Sequence, residues 1–61
     1  MPMYLSLHKA VKVGDLERVK KIVLAGDDLS QKNIYGRTPL ALAMELGQTE
    51  IAALLKKSGG T

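Results

Sequence analysis

Residues 36–43 read Gly-Arg-Thr-Pro-Leu-Ala-Leu-Ala, and the order of chemistry in this stretch predicts how a helix begins. Thr38 carries a side-chain oxygen able to accept from a free amide of the first turn. Pro39 follows at the first helical position, where its missing N–H is no loss and its fixed φ suits the helix. Leu40, Ala43 and Met44 then recur at helical spacing and are expected to face inward. Gly47 is placed to stop the helix. Beyond it, Gln48 or Thr49 restarts the chain, and Ile51, Ala52, Leu54 and Leu55 supply the apolar face of a second helix. Lys56 and Lys57 lie near the negative end of its dipole, and Gly59 closes it.

Toward the N-terminus the same plan recurs. Ser6 is placed to cap a helix carrying Leu7, Ala10 and Val11, and Gly14 stops it. Asp15 is positioned as the N-cap of the next helix, whose apolar stripe is Leu16, Val19, Ile22 and Val23, with Lys20 and Lys21 outside and Gly26 at the end. The two halves share one register. Leu7, Ala10, Gly14, Glu17 and Gly26 are matched 33 positions later by Leu40, Ala43, Gly47, Glu50 and Gly59. Val13 with Leu46 and Ile22 with Leu55 are conservative matches in that register. A fixed period of this size marks a stacked repeat array, and such arrays are extended surfaces that work by binding. Between the helix pairs, residues 27–37 are polar and include Asn33-Ile34-Tyr35-Gly36, which favours a turn or short hairpin. No stretch shows the sustained alternation of a core strand. The fold class is therefore all-α, with helix-turn-helix repeats joined by a short inter-repeat β-hairpin or turn.

The stretch at 36–43 resembles the opening of an ankyrin repeat, Gly-x-Thr-Pro-Leu-His-x-Ala. Gly47, Glu50-Ile51, Leu54-Leu55 and Gly59 continue the likeness. Leu7-His8-Lys9-Ala10, Gly14-Asp15-Leu16-Glu17, Val19, Ile22-Val23 and Gly26 look like a terminal repeat of the same family. The likeness runs from residue 5 to 59. It implies one small domain over 1–61, with a first repeat at 5–33 and a second at 34–61. The chain departs from the pattern at three places. Leu5-Ser6 replaces Thr-Pro, which fits an N-terminal cap. Ala41 stands where the family has histidine, so a hydrogen-bonded link between repeats is missing there. Arg18 stands where a β-branched apolar residue is usual, which suits an exposed outer face.

At 61 residues with no cysteine and one histidine, the chain has neither a disulfide nor a histidine-based structural metal site to stabilise it. A chain this short buries about 60% of its unfolded surface, and an array of this kind normally needs three or more repeats. Two repeats imply a piece of a longer array, a marginal miniprotein, or a subunit that completes its stack by self-association. The net charge of +3 is spread among acidic residues, so an ordinary solvated surface is expected and nucleic acid is not. With no phenylalanine or tryptophan, base-stacking platforms are scarce. Nothing reads as a signal peptide or membrane span, and an intracellular, cytoplasmic setting is expected.

His8 reads as a side chain hydrogen-bonded to nearby backbone, because no nucleophile with a companion base is present. Asp27-Asp28 lacks the alternating ligands of a calcium loop, and Gly36-Arg37-Thr38-Pro39 lacks the lysine of a phosphate loop. No catalytic residue, metal or cofactor is expected. By the resemblance, Ile34, Tyr35 and Arg37 lie at the hairpin tip, where the family varies residues that contact partners, and their chemistry is that of interface hot spots. Lys12, Val13, Glu45 and Leu46 end the first helix of each repeat and form the second row of the same concave surface. An alternative for Ile34, Tyr35, Val13 and Leu46 is packing within the array. The function expected is a non-catalytic protein–protein interaction scaffold. The alternative is a self-assembling unit, a homo-oligomer formed through an open C-terminal face bearing Met44, Ala52 and Leu55.

Overall fold

The computed structural model describes residues 6–60. Leu5, the Ser6 side chain expected to cap the first helix, and Thr61 at the tail lie outside the described residues. Four helices follow one another: α1 (Ser6–Val13), α2 (Leu16–Leu24), α3 (Pro39–Glu45) and α4 (Thr49–Lys57). No strand occurs among the described residues, so the segment joining the repeats is a turn without a strand ladder.

The helix boundaries follow from local chemistry. Asp15 accepts a hydrogen bond from the Arg18 amide at 3.1 Å and caps α2. Thr38 Oγ1 accepts from the Ala41 amide at 3.2 Å and caps α3, with Pro39 at its first turn. Gln48 occupies the equivalent place before α4 but makes no side-chain capping bond. The helix ends are copies of one another. After α1, the Gly14 amide donates to the Val11 carbonyl at 3.1 Å and the Asp15 amide to the Ala10 carbonyl at 2.9 Å. One period later, the Gly47 amide donates to Met44 at 3.2 Å and the Gln48 amide to Ala43 at 2.8 Å. This pairing satisfies the last carbonyls of a helix, and it requires a left-handed residue at its centre. Gly14 (φ 76) and Gly47 (φ 73) supply it, at no steric cost because neither has a Cβ.

The chain reverses after each such end, so α1 packs on α2 and α3 on α4. The two pairs then stack, α1 against α3 and α2 against α4. The core sits at the stacking plane: Leu7, Ala10, Val11, Val19, Ala43, Ile51 and Leu55 are buried, with Leu16, Ile22, Leu40 and Leu54 packed partly against them. His8 ties the repeats together. Its Nε2 donates to the Arg37 carbonyl at 2.8 Å, just ahead of the α3 cap. The other ring nitrogen, Nδ1, is buried and has no hydrogen-bond partner among the described residues.

Two expectations need correction. Met44 does not face inward: it is 67% exposed, because nothing among the described residues stacks on that side of α3. Leu55, expected on an open C-terminal face, is fully buried. It lies on the side of α4 turned toward the first repeat's core and offers no surface to another chain.

Candidate functional site

The ends of α1 and α3 and the turn between the repeats border an open groove of ≈ 590 Å³. Its floor comes from the same template positions in each repeat: Lys9, Lys12 and Val13 on α1, and Leu42 and Glu45 on α3 with Leu46 at its C-cap. Residues 33 apart occupy equal places on the stacked helices α1 and α3, so Lys9 corresponds to Leu42, Lys12 to Glu45, and Val13 to Leu46. Tyr35 and Asn33 form the wall, and His8 lies at the base.

The wall is held by a tight turn. The Asn33 amide donates to the Arg37 carbonyl at 2.9 Å and the Gly36 amide to the Asn33 carbonyl at 3.0 Å. Asn33 Oδ1 accepts from the amides of Tyr35 at 2.9 Å and Arg37 at 3.0 Å. An asparagine at this place stands in for a backbone acceptor and stiffens the tip. Arg37 then braces wall to floor. Its Nε donates to Glu45 Oε2 at 3.0 Å and its second guanidinium nitrogen to the Tyr35 carbonyl at 3.1 Å. The Arg37 carbonyl accepts from both Asn33 and His8, so this residue joins the tip, the inner helix and the preceding repeat.

The residues singled out from sequence divide as follows. Lys12, Val13, Tyr35, Glu45 and Leu46 are brought together in the groove. Ile34 is 87% exposed at the crest of the turn and does not line it. Arg37 stands behind the wall, committed to Glu45 and Tyr35. Val13, Leu46, Ile34 and Tyr35 are all exposed, so none of them is sealed in the core formed by the described residues. Sequence reasoning missed Lys9 and Leu42 as groove residues. The 33-residue register held the signal, since each sits four residues before Val13 or Leu46 on the same helix face.

Other candidates resolve into local structure. Asp28 Oδ1 accepts from the Ser30 amide at 2.9 Å, a turn-stabilising role. Among the described residues no cluster of His, Asp or Glu could hold a metal ion. No described helix is long and apolar enough to cross a membrane.

The family model described as ankyrin repeats in three copies matches residues 7–61. The chain belongs to the ankyrin repeat family. Myotrophin from Xenopus tropicalis is 40% identical over 50 residues, an overlap covering 82% of this chain and 42% of that protein. Protein phosphatase 1 regulatory subunit 27 from Homo sapiens is 43% identical over 54 residues, covering 88% of this chain and 35% of the relative. Ankyrin repeat domain-containing protein 13C-A from Xenopus laevis is 38% identical over 53 residues, covering 87% and 10%. The chain thus spans less than half the length of each of these relatives. No solved structure matches the chain.

Proposed function

We propose that the chain docks a protein partner in the groove between Tyr35 and the ends of α1 and α3, without catalysing a reaction. The observation that carries this reading is the meeting of exposed Val13, Leu46 and Tyr35 with half-buried Leu42 on one braced concavity. Apolar side chains held open to water on a stiff frame lose little entropy when covered, and a tyrosine with an apolar floor is hot-spot chemistry. The phosphatase-subunit relative supports a protein as the partner. The test is site-specific photo-crosslinking in cells. A crosslinking residue at Leu46 is expected to yield discrete protein adducts that Tyr35→Ser abolishes, while one at Leu24, exposed on α2 outside the groove, yields none of them. Identical adducts from both positions overturn the reading.

A second reading, self-assembly, is supported by one comparison. Val11 and Val19 are fully buried, whereas Met44 is exposed and Ala52 only half-buried at the equivalent places. A copy stacked head-to-tail would lay Lys9 and Arg18 on this surface, where the second repeat uses Leu42 and Ile51. Burying those unpaired charges is costly. A two-fold dimer joining equivalent faces through Met44 and Ala52 avoids that cost. Sedimentation is expected to show a dimer at high concentration that Met44→Glu dissociates. A helical chain that stays monomeric at its highest soluble concentration overturns this second reading.

A further inference from the structure

The groove is chemically lopsided, and the register makes this plain. At the three shared floor positions the first repeat carries Lys9, Lys12 and Val13, whereas the second carries Leu42, Glu45 and Leu46. The single carboxylate on the floor is already engaged, since Glu45 accepts from Arg37 at 3.0 Å. Lys9 and Lys12 are both exposed, and among the described residues neither has an ion-pair partner. They are three residues apart on α1 and so project side by side. One half of the groove therefore offers two free ammonium groups, and the other half offers Leu42 and Leu46 facing Tyr35.

Resting on the docking reading above, we infer that the groove takes an extended protein segment in which acidic residues adjoin an apolar anchor. The carboxylates lie over Lys9 and Lys12, and the anchor lies over Leu42 and Leu46 against Tyr35. Charge complementarity selects this occupant. A basic segment would meet two uncompensated lysines at the α1 half, and Glu45, paired with Arg37, could offset little of that repulsion. A neutral segment would gain the apolar half alone. A lysine pair acts within about 8 Å at physiological salt, so the carboxylates have to sit in the groove and not merely near it. The apolar half fixes register, and the lysines set preference and association rate.

The test uses the full chain and a fluorescein-labelled synthetic peptide in which a run of glutamates precedes a Leu-Phe pair. Companion peptides replace the glutamates by lysines, the glutamates by serines, or the Leu-Phe pair by Ser-Ser. Anisotropy reads binding and amide chemical shifts read the place. The first peptide is expected to bind best, to weaken as salt rises, and to move the amides of Lys9, Lys12, Leu42 and Leu46. The double variant Lys9→Gln/Lys12→Gln should weaken it by about three- to tenfold. The control variant Lys20→Gln/Lys21→Gln, on α2, should leave it unchanged, with circular dichroism verifying that both variants stay helical. If the serine or lysine peptide binds equally well and moves the same amides, the acidic preference is overturned while groove docking stands. If the Ser-Ser peptide binds equally well, or oligothymidylate displaces the first peptide at equal charge, the contact is simple polyanion attraction and the proposal fails. Shifts confined to Lys56 and Lys57, or no binding by any peptide, also overturn it. The Leu46 crosslink then decides separately whether the groove docks a protein at all.

Discussion

Val11 and Met44 occupy the same template position in consecutive repeats and meet opposite fates: one is sealed, the other is exposed to water. The helices that carry them end in the same way, with equivalent amides donating to equivalent carbonyls. What differs is the neighbour. Ala43 and Ile51 of the second repeat complete the core around Val11 and Val19, and among the described residues nothing does so for Met44 and Ala52. The opposite side of the stack is handled differently. Where the second repeat buries Ile51, the first places exposed Arg18, and where the second has half-buried Leu42, the first has Lys9. The first repeat's outer side is therefore written as a polar cap, and the second repeat's outer side is not. Burial in a stacked array belongs to a position's place in the stack more than to its template.

The comparison can be broken most forcefully at its centre. Leu55→Ala removes a fully buried side chain and is expected to cost about 2–5 kcal/mol. That is most of what a domain this small can hold, so thermal melting by circular dichroism should find the variant largely unfolded at room temperature. Leu40, only partly buried, should cost visibly less. If Leu40→Ala and Leu55→Ala melt alike, the stacking plane is misplaced.

The direct contrast comes next. Val11→Ala should cost on the order of 2 kcal/mol, from lost burial and the cavity left behind. Met44→Ala should fall within about 0.5 kcal/mol of the parent, as exposed substitutions do. A Met44 variant as damaged as the Val11 variant, measured by urea denaturation, would mean that Met44 is covered in solution. That result would favour self-association.

The caps sharpen the comparison further. Asp15 and Gln48 are template equivalents, yet only Asp15 makes a side-chain bond to a helix amide. Asp15→Ala is expected to lower stability by about 1 kcal/mol and Gln48→Ala to have almost no effect through capping. Equal losses in chemical denaturation would show that Gln48 matters by another route, such as its contact beside Gly14.

The smallest expected effect lies at the brace. Arg37 and Glu45 are both about half-exposed, so their pairing should contribute roughly 0.2–1 kcal/mol, reduced further by salt. A double-mutant cycle with Arg37→Gln and Glu45→Gln measures it. A coupling well above this range would make the brace a structural support of the fold rather than a local holder of the groove wall.

Much of the architecture was legible beforehand because helix starts and stops are local events. Thr38-Pro39, Asp15 and the glycines act on amides and carbonyls within a few residues, so their chemistry can be read in order along the chain. The repeat register was legible too, since it needs only residue identities. The groove was partly legible. Tyr35, Val13, Leu46, Lys12 and Glu45 were recognised from their places at the tip and at the helix ends. Lys9 and Leu42 were missed because helical position alone does not tell which face remains open once two helices pack side by side.

By itself, then, the sequence determined where the helices begin and end, that they come in two equivalent pairs, and that the chain is an ankyrin repeat. The physical reason is that caps, helix-end hydrogen bonds and a fixed period are satisfied within short stretches of chain. The tertiary structure alone decided that Val11 is sealed while Met44 is exposed, that Leu55 belongs to the core, and that Arg37 is spent on Glu45 and Tyr35. It also decided that a basic half and an apolar half share one groove. Each of these depends on which surfaces meet when one repeat stacks on the next. Those meetings join residues about 33 positions apart, at the repeat period, beyond what any local pattern specifies.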